Sequence, residues 1–160
     1  MTILNKVSSK TLMPGITAVP DVVDAPTIGT ATDVGTSRAY NNGAATVTFT
    51  AQTTGGAASS FTATSSPGGL TASGASSPLT VTGLSSATSY TFSVQGVNSS
   101  GTWPASGSSS SITATTVPQA PTIGTATAGN ANASVTFTAN ATGGSAITGD
   151  RKSTRLNSSH

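Results

Sequence analysis

From Ala45 to Ala51 apolar and polar side chains alternate one for one. Ala45, Val47, Phe49 and Ala51 fall on one face and Thr46, Thr48 and Thr50 on the other. A period of two is the pattern of a half-buried strand. Phe61 and Ala63 continue the apolar face in a further strand, which stops at Ser66-Pro-Gly-Gly69, a strong turn signal. Leu79 and Val81 form a short strand ahead of Gly83. Tyr90, Phe92, Val94 and Gly96 then alternate with Thr91, Ser93, Gln95 and Val97, and Ile112 and Ala114 supply the last strand. Short alternating strands separated by such turns predict an all-β sandwich, in which the inward residues of two antiparallel sheets share one core. Phe49, Phe92 and Val94 belong to that expected core, while Thr46, Thr48 and Thr50 are expected to be exposed.

The pattern occurs twice. Ala25-Pro-Thr-Ile-Gly-Thr-Ala-Thr32 returns unchanged as Ala120 to Thr127, Val47-Thr-Phe-Thr-Ala51 as Val135 to Ala139, and Thr54-Gly-Gly56 as Thr142 to Gly144. The first copy is longer between its first two strands, around Arg38-Ala-Tyr-Asn-Asn-Gly43. Constant strands joined by a variable loop are what a duplicated domain shows. The second copy supplies a first strand near Pro121–Thr127, a second near Ser134–Ala139 and the start of a third at Ile147. It has no counterpart of Phe61, Leu84 or Tyr90.

Gly83-Leu84-Ser-Ser-Ala-Thr-Ser-Tyr90-Thr-Phe92-Ser-Val94-Gln-Gly-Val97-Asn98 resembles the fibronectin type III pattern, in which a Leu and, six positions on, a Tyr lead into an alternating strand ending in Asn. Ala25-Pro26 and the Ser-Ser-Pro-Gly-Gly turn agree with it. The resemblance spans Ala25 to about Thr116 and, in part, Gln119 to Gly149. It implies a seven-stranded antiparallel immunoglobulin-like sandwich followed by a truncated second module. It also implies that Tyr90 is a tyrosine corner, its hydroxyl bonded to backbone a few residues upstream, with Leu84 plugging the core beneath. The tryptophan common in the family's second strand is replaced here by Phe49. The expected division is an N-terminal extension or linker at 1–24, a module at 25–116, a truncated module at 117–149 and a tail at 150–160. Two strands bury too little surface to offset a chain entropy of about 1–2 kcal/mol per residue, so residues 119–149 are not expected to fold as a domain and at most pair opportunistically.

Composition narrows the chemistry. Only 6% of residues are charged, against roughly 25% in an average globular protein. From Ala39 to Gly149 there is no Asp, Glu, Lys or Arg. Lys6, Lys10 and Arg38 balance Asp21, Asp24 and Asp33, so the net charge of +2 arises wholly within Asp150–His160. Those last residues, DRKSTRLNSSH, resemble the in-frame translation of a sequencing adapter and are set aside as a non-native tail. Without a basic patch the chain is not expected to bind nucleic acid. No run approaches the ~20 apolar residues of a membrane span. The start, MTILNKVSSKTLMPGITAVP, lacks the apolar core of a secretory signal.

Cysteine is absent, which excludes disulfides and thiolate metal sites. The only histidine, His160, lies in the tail, and there is no Glu anywhere. Residues 1–149 therefore offer no base for a Ser-His-Asp arrangement and no glycosidase carboxylate pair within the module, and no catalytic, cofactor or metal residue is expected. Asp21, Asp24 and Asp33 lack the ligand spacing of a calcium loop. Trp103, the only tryptophan, falls in Ser99-Ser-Gly-Thr-Trp-Pro-Ala-Ser-Gly107 after the tyrosine-bearing strand. Two readings of it are open. Trp103, with Asn98 and Thr102 beside it, forms a ligand anchor for sugar or protein, or its ring folds back over the open end of the sandwich. Asn98-Ser-Ser, Asn132-Ala-Ser and Asn140-Ala-Thr match the glycosylation sequon, as chance allows in so Ser/Thr-rich a chain.

Two function classes fit. One is a virion protein, such as a phage tail or fibre component, located in the virion or outside the cell. Its partners would be neighbouring modules of the same chain, other virion proteins or a cell-surface glycan. A start methionine close to the first module and the absence of a signal peptide fit assembly inside a cell and release by lysis. The repeat style also resembles modules of phage and bacterial surface proteins. The other class is a spacer or glycan-binding appendage of a secreted bacterial enzyme or adhesin.

Overall fold

The computed structural model describes residues 23–149. Those residues contain strands and turns and no helix. In the first repeat β1 (Thr27–Asp33), β2 (Gly43–Thr50) and β5 (Leu79–Leu84) form one antiparallel sheet in the order β1-β2-β5. The second sheet runs β4 (Thr71–Gly74), β3 (Ser60–Ser66), β6 (Ser89–Asn98) and β7 (Gly101–Thr102), with β8 (Ile112–Thr113) on the start of β6. Because β7 and β8 are two pieces of one edge, the sandwich has seven strand positions, as expected.

The alternation does what its period requires. Ala45, Val47 and Phe49 of β2 face Phe61 and Ala63 of β3 and Phe92 and Val94 of β6, all of them buried. The Phe49 and Phe61 rings meet across the two sheets at 4.8 Å between centroids. Val23, ahead of the first strand, also packs against this core, so the packed unit begins slightly before Ala25. Ala51 lies past the end of β2 and is exposed.

Thr50 is exposed, but Thr46 and Thr48 are half-buried, contrary to the simple alternation. For Thr48 the reason is a bulge in β1, where the register slips between Ile28 and Ala31. The Thr48 hydroxyl plugs that irregularity, accepting the Thr30 N–H at 2.8 Å. Gly29 makes room, since a Cβ there would lie 3.0 Å from the Thr48 carbonyl oxygen. The second repeat reproduces this device. β9 (Thr122–Gly129) and β10 (Asn132–Thr138) form a two-stranded antiparallel hairpin with a register slip between Val135 and Phe137. There the Thr136 hydroxyl accepts the Thr125 N–H at 3.0 Å, beside Gly124. The recurring Ile-Gly-Thr is thus the sequence of a bulge.

Every residue of β9 and β10 is exposed. Phe137 is 61% exposed whereas Phe49, its counterpart, is 7% exposed, because no second sheet covers the hairpin among the described residues.

The tyrosine corner is present. Tyr90 is buried and its hydroxyl accepts the Ser85 N–H at 3.0 Å, five residues upstream, above a fully buried Leu84. The long β1–β2 loop braces this corner: the Asn41 N–H donates to the Ser86 hydroxyl and the Ser86 N–H to the Asn41 side-chain oxygen, each at 3.0 Å.

Two elements differ from the sequence expectation. β4 pairs with β3 from Phe61↔Gly74 to Thr64↔Thr71, and its Thr-Ala-Ser-Gly has no apolar alternation to announce it. The last edge is also more extensive than Ile112–Ala114. The chain follows β6 from Gly101 onward, with the N–H groups of Trp103, Ser106 and Ser109 donating to the carbonyls of Gly96, Val94 and Phe92, each at 2.8 Å. Three residues pass along this edge for every two of β6, so no regular ladder forms. Serine hydroxyls complete the bonding: Ser106 accepts the Val94 N–H at 2.8 Å and Ser109 the Phe92 N–H at 3.0 Å.

Urea unfolding should show Leu84→Ala costing about 2–5 kcal/mol through lost burial and the cavity left behind. Tyr90→Phe should cost about 1 kcal/mol. Ser109→Ala, which strands a buried main-chain N–H, should cost about 1–3 kcal/mol. A serine variant as stable as the parent would show that hydroxyl to be dispensable.

Candidate binding surface

The surface with most claim to recognition is the end of the sandwich where β6 turns into β7, beside the β2–β3 loop. Its shape follows from one glycine. The inward positions of β6 are Tyr90, Phe92, Val94 and Gly96, and the last contributes no side chain. A Cβ on Gly96 would lie 2.9 Å from Trp103 Cε3 and 3.3 Å from Phe61 Cε1. The indole occupies the space that a side chain at position 96 would have filled.

Trp103 is accordingly 1% exposed. Its ring stands edge-on to Phe61, 6.2 Å between centroids and 86° between planes, which extends the Phe49–Phe61 pair into a run of three aromatics. This corrects the reading of Trp103 as an exposed ligand anchor; the ring is core. Its Nε1–H has no hydrogen-bond partner among the described residues, at a cost of about 1–3 kcal/mol. Burying some 150–250 Å² of aromatic surface contributes about 4–6 kcal/mol at ~25 cal/mol per Å². Burial prevails.

The other two candidates are near each other in the β6–β7 hairpin. Asn98 is half-buried and bonded at both ends: its Nδ2 donates to the Gly55 carbonyl at 3.3 Å and its Oδ1 accepts the Ser100 N–H at 2.9 Å. It ties the hairpin to the β2–β3 loop. Thr102 is exposed and pairs with Val97, itself 38% exposed. Ser99 and Ser100 are exposed beside them. What this end offers a partner is hydroxyls, main-chain amides and the Val97 surface.

Formal charge is sparse. Asp24 is exposed ahead of β1, next to Val23. At the far end, Asp33 accepts the Gly35 N–H at 3.2 Å and both the main-chain N–H and the hydroxyl of Thr115. Arg38 donates to the Asn42 carbonyl at 2.6 Å. Asp33 thus tethers the last strand to β1. No cluster of three potential metal ligands occurs among the described residues. Asp21 lies outside the described residues, as do Asp150–His160.

The structural residues were more legible than the binding ones. Tyr90, Leu84, Phe49, Phe92 and Val94 are all buried. A glycine at an inward strand position with a lone tryptophan a few residues on was the available signal for the indole's place.

Among solved structures, the chain is similar to one described as "Titin kinase and its flanking domains", with 21% identity and a TM-score of 0.45. That likeness covers 57% of this chain and 17% of the other. It is also similar to a chain described as "Myokine structure", with 15% identity and a TM-score of 0.39, covering 57% of this chain and 97% of that one. No family model and no curated protein matches the chain. The strands of the first repeat by themselves define an all-β antiparallel sandwich.

Trp103 fluorescence should be blue-shifted and resistant to acrylamide in the native state, and Trp103→Ala should cost about 3–5 kcal/mol. Emission typical of solvated indole would restore the exposed-anchor reading.

Proposed function

We propose that the chain is a non-catalytic structural or display protein whose repeats act as spacers, and that its setting is a virion, in a tail or fibre. One observation carries the spacer reading: the chain enters and leaves the first sandwich at opposite ends. Val23 lies against Gly55 at the end that holds Asn98. Val117 leaves at the other, its N–H bonded to the Arg38 carbonyl at 2.9 Å. Repeats threaded this way extend a structure. The absence of His, Glu and Cys from residues 1–149 supports a non-catalytic role. The virion setting rests on the resemblance of the repeat style to phage modules. Its partners are then neighbouring modules, other virion proteins or a cell-surface glycan.

The second reading, a spacer or glycan-binding module of a secreted bacterial enzyme or adhesin, draws on the hydroxyl-rich end at Asn98 and Thr102. Mass spectrometry of density-purified particles from the source sample separates the two. Peptides of residues 25–116 should band with intact particles. Their recovery only from soluble secreted or envelope fractions would favour the second reading. An activity screen of residues 1–149 should find no hydrolase or transferase turnover, and one saturable activity refutes the non-catalytic reading.

A further inference from the structure

We infer that the second repeat's Thr142-Gly143-Gly144 turn is a docking element that fixes this repeat against the exit end of the first sandwich. The exit end is a socket with three walls. One is the tyrosine corner at Ala87, the second is the end of the last strand from Ala114 to Thr116, and the third is the long β1–β2 loop at Arg38. The connecting segment is pinned on both sides. Val117 donates to the Arg38 carbonyl at 2.9 Å, while Thr116 donates to the Gly143 carbonyl at 2.8 Å and Gln119 to the Ala141 carbonyl at 2.9 Å.

The two glycines are where the surfaces meet. Gly143 has φ +75° and Gly144 φ +91°, values that side chains rarely adopt. A Cβ on Gly143 would run into the carbonyl oxygens of Thr116 and Val117. One on Gly144 would lie 2.9 Å from both the Ala114 carbonyl oxygen and the Ala87 nitrogen. Gly143 is buried, although every residue of β9 and β10 is exposed. Thr116 and Val117, where the chain leaves the first sandwich, lie against it.

The duplication supplies a second, independent observation. In the first copy the corresponding turn, Thr54-Gly55-Gly56, meets the segment ahead of its own first strand, where a Cβ on Gly55 would collide with Val23. Each copy's turn therefore clasps the chain entering that copy. In the second copy the entering chain is the end of the preceding sandwich, so the clasp becomes a joint between repeats. The extra length of the first copy's β1–β2 loop acquires a use here. It carries the Arg38 carbonyl that holds Val117, whereas β9 and β10 are joined by only Asn130-Ala131.

This inference stands on the contacts at the junction, whichever setting the chain serves. Its test reads neither particle association nor ligand binding. Residual dipolar couplings of the full chain, measured for amides of β2, β3 and β6 and for those of β9 and β10, should fit one alignment tensor. Gly143→Val places a side chain against the two carbonyls. Gln119→Pro deletes the N–H that reaches Ala141 and leaves the glycine turn untouched. In both variants the hairpin couplings should fall at least two-fold and require their own tensor, while those of the first sandwich hold. A parent chain that already needs two tensors overturns the inference, as does one shared tensor surviving in either variant.

Discussion

At most of the places where the strands of this protein depart from a regular ladder, a serine or threonine hydroxyl supplies the missing partner. Thr48 and Thr136 fill the two bulges, Ser106 and Ser109 satisfy β6, and the hydroxyls of Ser77 and Ser65 accept the N–H groups of Phe49 and Leu70, each at 3.0 Å. Main-chain groups removed from water have to be paired. A stretch from Ala39 to Gly149 without a formal charge has few other means to pair them. A hydroxyl is well suited because it donates and accepts at once. Ser109, for example, accepts from Phe92 and donates to the Ser110 carbonyl at 2.9 Å. The abundance of Ser and Thr is in this sense a structural property before it is a surface property.

The same constraint decides where the aromatics go. With Ser106 and Ser109 holding the edge chain to β6, the segment from Thr102 onward lies close enough for Trp103 to turn inward over Gly96. Phe49, Phe61 and Trp103 then make a continuous aromatic column between the sheets. The family resemblance places a tryptophan in the second strand. Here the indole enters the core from the opposite sheet's edge and Phe49 holds the second-strand position.

Legibility in the sequence followed the period of the strands. β2, β3, β5 and β6 were readable because Val47, Phe49, Phe61, Leu79, Val81, Phe92 and Val94 recur at every second position. The tyrosine corner was readable from the Leu84–Tyr90 spacing through the fibronectin type III resemblance. β4 was not, since Thr71-Ala-Ser-Gly74 carries no large apolar residue and is a strand only because β3 pairs with it. Thr48 was misplaced because alternation cannot foresee a hydroxyl drawn into a bulge. The last edge was hidden for a related reason: three residues advance for two of β6, so neither a period of two nor a helical period describes it. Of the candidate surface, sequence located the hairpin that holds Asn98 and Thr102. It left the direction of the Trp103 ring open, since that depends on a space created by Gly96 in another strand.

The staggered edge beyond β6 also bears on what happens when many such chains are crowded together. An exposed, regular strand is a template for another, and proteins often guard it with lysine or glutamate. From Ala39 to Gly149 this chain has neither. Its guard is geometric. Pro104 has no N–H to offer, the N–H groups of Ser106 and Ser109 already point back into the sheet, and three residues advance along this edge for every two of β6. A neighbouring strand meets an outline whose spacing does not match its own. At this edge, protection from strand addition needs no charge repulsion and so does not depend on the salt concentration.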